Sequence, residues 1–183
     1  MVATLIILLV AVAIGVWIYN RLVRDRNQVL AAWSDIDVQL VRRHDLVPQL
    51  VTTVKAYAAY EQATMAAVTE LRTRSAAARH LPDKAAIEQE HALGVNKLLV
   101  VAEAYPELKA NANFAQLQKE LVEIEDHIQY ARRFYNGAVR MLNTRVQSFP
   151  HLLIARPFGF RPAEYFEVEE ARQRAVPRVE LNR

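Results

Sequence analysis

The residues in this chain with types and spacing suited to chemistry are few, and Glu88 and His91 come first. They form a Glu-x-x-His pair on a stretch with helical pattern. That i, i+3 spacing is the one used by carboxylate-bridged di-iron bundles, where both side chains project inward from one helix face. Such a centre needs a second Glu-x-x-His and two more glutamates on facing helices. Glu123 and His127 stand four apart, which is the wrong spacing. One half-motif among five histidines is expected by chance, so the sequence assigns no metal ligand, and His91 reads as solvated or at the edge of a core. A metal-binding or enzymatic bundle built on Glu88 and His91 remains the alternative reading.

Other catalytic patterns are missing. The chain has no His-Glu-x-x-His and no Gly-x-Ser-x-Gly elbow. Four glycines cannot build a phosphate-cradling loop. Without cysteine there is no thiolate nucleophile, thiolate metal site or disulfide. The sequence therefore names no catalytic residue and no cofactor, and the expectation is a protein that is not an enzyme.

Three polar residues interrupt otherwise apolar seams: Arg43, Glu61 and Arg145. Such residues most often lie at a bundle end or snorkel outward. The rarer arrangement is a buried Arg–Glu pair that fixes helix register. Arg132, Arg133 and Arg140 mark a candidate interaction patch, against the plain alternative of a solvated helix face. Pro48 is a hinge candidate. It deletes a hydrogen bond to the carbonyl of His44 inside a helical pattern, so a kink is expected rather than a hairpin.

The elements that must position these groups are all helical. Ala, Leu, Val, Glu, Gln and Arg dominate, and no alternating strand pattern is present. A heptad seam predicts a long helix over 21–75. It steps through Val29, Trp33, Ile36, Leu40, Arg43, Val47, Leu50, Val54, Tyr57, Glu61, Thr64, Val68 and Leu71. A second helix is expected from Pro82 or Asp83 to Tyr105, on a seam through Ile87, His91, Gly94, Leu98 and Val101. A third is expected over 114–149, capped by Asn111 or Asn113, on a seam from Phe114 to Phe149. Residues 150–162 read as an extended segment pressing aromatics onto the bundle, and 163–175 as a short closing helix. Trp33, Ile36, Leu40, Leu50, Val54, Leu121, Ile124, Ile128 and Tyr135 are the expected core, covered by Phe158, Phe160, Tyr165 and Phe166. The fold class is all-α, an N-terminal transmembrane helix followed by an antiparallel bundle of about four long helices.

Residues 2–19 carry no charge. As a helix they span roughly 27 Å, near the thickness of a bilayer's hydrocarbon core. Trp17 and Tyr19 sit at the C-terminal edge, and Arg21, Arg24 and Arg26 follow. Aromatic rings at the headgroup level and arginines beyond them predict a retained anchor with a cytoplasmic bundle and the N-terminus outside. A cleaved signal peptide would instead want basic residues before the apolar run and a small-x-small site after it. The expected organisation is 1–20 anchor, 21–175 bundle and 176–183 frayed tail. A net charge of +3 suits an anionic membrane surface, and no nucleic acid is expected as a partner.

Three stretches, AAWSDIDVQLVRRHDLVPQLVTTVKAYAAYE at 31–61, LLVVAEAYPELKANANFAQLQKELVEIEDHIQYARRFYNGAVRMLNTRVQSFP at 98–150 and FGF…EYFE at 158–167, resemble the LemA family of bacterial membrane-anchored helical proteins. The resemblance covers nearly the whole chain. Tyr60 departs from the His that many members carry there. The resemblance implies a short external N-terminus, one pass through the inner membrane and a cytoplasmic bundle, with no established catalytic activity. Members resemble proteins found near stress-type membrane metalloproteases, and one relative works in magnetosome membranes. The expected function is a membrane scaffold or adaptor that self-associates or binds another membrane protein, such as a membrane metalloprotease. An envelope-stress sensor hinged at Pro48 is a further alternative.

Overall fold

The computed structural model describes residues 1–58 and 60–166, and among them there are helices and no strands. The longest, α1 (Val2–Tyr57), has 56 residues and runs about 84 Å. Nothing interrupts it between the apolar N-terminus and the bundle. Pro48 lies inside it, on the exposed side. The helix continues through it because Val47 and Leu50 on either side are buried in the core; Thr52 and Thr53 donate to the Pro48 and Gln49 carbonyls at 2.8 and 2.9 Å.

The long seam stops earlier than its spacing predicts. α1 ends at Tyr57, the chain turns, and α2 (Gln62–Ala77) begins. No Gly or Pro marks this break. The seam itself weakens there to Tyr57, Glu61 and Thr64, and the buried residues resume at Met65, one step beyond the expected Thr64, and at Val68, which is on the seam. Burying those two against α3 (Leu81–Val101) is worth more than extending a polar helix into solvent. A 3-10 turn (Ala102–Ala104) and the short α4 (Pro106–Lys109) lead to α5 (Ala112–Gln147). Asn111, not Asn113, is the cap: its Oδ1 accepts from Phe114 N at 3.1 Å. The α5 seam is buried from Phe114 through Leu142.

α1 and α5 form the central antiparallel pair, with the α2–α3 hairpin packed on its distal half. The apolar interior falls into two clusters. The first joins Ile18, Leu22, Ala32, Ile36 and Leu40 to Ile124 through Val146 of α5. The second joins Val47, Leu50 and Val54 to Val68, Val95, Leu98 and Phe114. Trp33 is only partly buried because Ala32 takes the inward position, but its ring packs 5.9 Å from that of Tyr135.

Residues 150–162 are not extended throughout. α6 (His151–Ala155) carries Leu152, Leu153 and Ile154, and a turn through Gly159 at φ +72° follows. The strap from Phe160 to Phe166 has no regular secondary structure. Phe160 and Phe166 are buried as expected, while Phe158 is 62% exposed. The described part of the expected closing helix, 163–166, is not helical; its remainder and the expected tail at 176–183 lie outside the described residues.

Two glycines in helices separate packing from propensity. A Cβ on Gly94 of α3 would come within 2.8 Å of Val68 Cγ2, so the glycine permits close approach of α2. A Cβ on Gly137 of α5 meets nothing within 4 Å. Gly137→Ala is therefore expected to stabilise by about 1 kcal/mol through helix propensity. Gly94→Ala should forfeit that gain to overpacking, typically about 1–3 kcal/mol. Thermal unfolding of the two variants, with a higher midpoint for the first alone, checks this.

Candidate functional site

Between the two apolar clusters lies a layer of charge. On α1, Arg43 follows Leu40 of the first cluster and precedes Val47 of the second. On α3, Glu88 and His91 lie between Ala85 and Val95 in the same way. All three are buried, with Arg43 2%, Glu88 4% and His91 0% exposed.

Glu88 is the hub. Its carboxylate pairs with the Arg43 guanidinium and accepts from Ser75 Oγ of α2. His44 Nε2 lies 3.0 Å from Glu88 Oε1, and His91 Nδ1 3.9 Å from Oε2. Arg43 also donates to the backbone carbonyl of Glu88 at 3.1 Å and to Glu125 Oε2 of α5 at 2.8 Å. One arginine thus ties α1 to α3 and α5, and one glutamate ties α3 to α1 and α2. Of the two readings of Arg43, the observed one is the rarer, a buried Arg–Glu pair. His91 is not at a solvated edge. It is fully enclosed, its ring packs 5.3 Å from that of His44, and neither of its ring nitrogens has a hydrogen-bond partner.

The electrostatics follow from burial and from Arg43. Burial pushes the Glu88 carboxyl up, but the His44 contact, the Arg43 charge and the Ser75 hydroxyl outweigh it and hold it at about 2. For His91, burial and then the Arg43 charge pull the imidazole down to about 4, against the opposite pull of Glu88. His91 is neutral near pH 7 and Glu88 is ionised.

His44, Glu88 and His91 each offer a ligand atom, all within 4.8 Å of one another. The carboxylate they would share already carries the Arg43 guanidinium. A dication placed there would face that positive charge in a buried setting, where repulsion is strong. The arrangement supports an ion-paired structural layer better than metal chemistry. A cleft of about 410 Å³ reaches this layer between α3 and α5, lined by Arg43, Glu88, Glu125, Gln129, Arg132 and Phe166 among others.

Sequence reasoning singled out Glu88, His91, Arg43 and Arg145 but missed their partners. Arg145 pairs with Asp25, a buried acid on α1. This pair, Arg43–Glu125 and the Asn111–Tyr57 bond at 3.0 Å keep α1 and α5 in one register along their length. Of the candidate arginine patch, the Arg132 guanidinium lies 5.3 Å over the Phe166 ring, and Arg133 and Arg140 are exposed on α5. Asn136 and Asn143 were also missed. They stand seven apart, and each amide bonds both backbone groups of one strap residue, Asn136 with Phe166 at 2.9 and 3.2 Å and Asn143 with Ala163 at 2.8 and 2.9 Å. Only the seven-residue spacing beside the seam could have signalled them.

With this geometry in place, comparison with known proteins is decisive on kinship. The LemA family model matches residues 32–181. The chain belongs to the LemA family. Two magnetosome proteins MamQ of Paramagnetospirillum magneticum are each similar to it at 26% identity over 179 residues, covering 84% of this chain and 66% of theirs. Protein LemA of Metamycoplasma hominis is 24% identical over 165 residues, covering 88% of this chain and 74% of its own. The chain thus spans just under two thirds of the length of the magnetosome relatives. The LemA match includes Arg43, Glu88 and the two strap asparagines within its bounds.

Proposed function

We propose that this LemA-family chain is a non-enzymatic membrane scaffold or adaptor. Residues 1–20 anchor it in the bacterial inner membrane with the N-terminus outside, and the bundle stands on the cytoplasmic face. It acts by self-association or by binding another membrane protein.

One observation carries the reading: α1 is a single helix whose first part is apolar and exposed and whose later part is the spine of the core. From Leu5 to Trp17 its large apolar side chains are more than half exposed, whereas Ile18 and Leu22 are buried in the first cluster. A water-facing apolar surface of this length has no stable place except in lipid or against a partner. Because anchor and spine are one helix, the bundle is joined to the membrane without a flexible linker, which suits a protein that organises others. Arg21, Arg24 and Arg26 directly after the span support the cytoplasmic placement.

The absence of native cysteine gives a clean test. Tyr60, at the far end of the bundle, is 95% exposed, so Tyr60→Cys accepts a membrane-impermeant maleimide once reached. The expected outcome is a protein retained in membranes after alkaline carbonate washing and labelled only after the cells are permeabilised. Release by carbonate would remove the anchor, and labelling in intact cells would reverse the orientation.

A further inference from the structure

We propose that the corner formed by α6 and the turn after it is a second membrane contact, seated in the headgroup–acyl boundary beside the span. The inference rests on residues 2–19 crossing a bilayer, and adds a contact that the span alone does not require.

The corner lies level with the last turn and a half of the apolar segment. A Cβ built on Gly15 would sit 3.8 Å from Ile154 Cδ1. The Trp17 ring is 6.4 Å from that of His151, and the Tyr19 ring 5.1 Å from that of Phe158. Ala155 is wholly buried in the first cluster, so α6 is fixed to α1 and α5 by its inner face.

Its outer face is apolar and open. Leu153 and Phe158 are each 62% exposed, and Phe149 just before the helix 79%. Trp17, beside His151 of the same corner, is exposed as well. If Gly15 and Trp17 are at the boundary of the hydrocarbon, residues packed directly on them are at the same depth. Large apolar groups at that depth, with a basic fringe, match an interfacial element lying in the plane of the membrane. The fringe is present: Arg156 and Arg161 flank the turn and are exposed. Two contacts at different points on the bundle fix its tilt, which one span by itself leaves free.

The test uses the full chain in vesicles of phosphatidylcholine and phosphatidylglycerol, with an environment-sensitive fluorophore on single cysteines. Leu153→Cys reports the corner, Leu9→Cys the span and Tyr60→Cys the aqueous end. Leu153 points outward, so the substitution leaves the packing intact. With shallow spin-labelled lipid, quenching at Leu153→Cys is expected to be several-fold greater than at Tyr60→Cys, with emission shifted to the blue. Quenching at Leu153→Cys no greater than at Tyr60→Cys, while Leu9→Cys is quenched by deep spin labels, overturns the second contact and leaves the anchor standing. No quenching at Leu9→Cys overturns the anchor itself, and the corner's role with it.

Discussion

Glu88→Ala is expected to cost about 3 kcal/mol of stability, the largest loss from any single polar substitution in the bundle. The substitution strands the Arg43 charge among buried groups. Glu125 remains 2.8 Å away, but its side chain is 31% exposed, so solvent weakens what it can return; that places the loss at the low end of the range for broken buried pairs. Ser75 loses its acceptor, and His44 loses its 3.0 Å contact with the carboxylate. Glu88→Gln keeps an acceptor and the side-chain volume and should lose less. The informative variant is the double one, Arg43→Leu with Glu88→Leu. Apolar residues in both places continue the two flanking clusters, and stability should return most of the way to the parent, since the pair contributes register more than net energy. Denaturant unfolding of the full chain in mild detergent gives the three values. A double variant weaker than either single one would refute the layer as described.

The second large effect is in pH. His91 has an ordinary value of 6.5 and a folded value of about 4, so the unfolded chain binds a proton that the fold rejects. Stability from this group is whole above pH 6.5 and falls as pH drops toward 4. Glu88 is depressed from 4.5 to about 2, so its contribution is whole above pH 4.5 and is lost as pH falls through 2. Each shift corresponds to at most about 3 kcal/mol, and coupling through Arg43 means the two are not simply additive. The bundle should therefore weaken in two adjacent acid steps. His91→Leu should remove the upper step, between pH 6.5 and 4, and leave the lower one. Unfolding midpoints collected across that range decide the matter; an unchanged upper step in His91→Leu would assign it to another group.

How far the sequence carried depended on whether the deciding force was local. The α5 seam was readable residue by residue, because it steps by three and four without a breaker from Phe114 to Leu142 and carries a capping Asn111. The anchor was readable for the same reason, as a charge-free run. The end of α1 at Tyr57 was not. No Gly or Pro sits there, and the turn exists because Met65 and Val68 have α3 to pack against. On α3 the predicted stripe shares His91 and Leu98 with the observed one but places Ile87 and Gly94 where Ala85, Glu88 and Val95 are buried. The charged positions there are what misled the pattern: buried Glu88 counts as polar until Arg43 is known to meet it. Arg43 and Glu88 each stood out in the sequence, but their meeting depends on how α1 and α3 pair across the bundle, which spacing along the chain does not contain. The resemblance to the LemA family, carried by RRHDLVPQLV and ARRFYN, spans Arg43, His44 and Asn136 without saying what they touch.

One continuous helix runs from the apolar segment to the tip of the bundle, and a charged layer joins it to α3 and α5. The exposed large side chains Val122, Tyr130, Phe134 and Met141 on α5 give the bundle surface on which like chains or other proteins can pack.

The most direct test of the scaffold is the mass of the full-length protein in mild detergent and in lipid nanodiscs, by light scattering after size exclusion. Self-association predicts a discrete oligomer in both, which persists on dilution. A mass of one chain at every concentration and in both environments would contradict self-assembly.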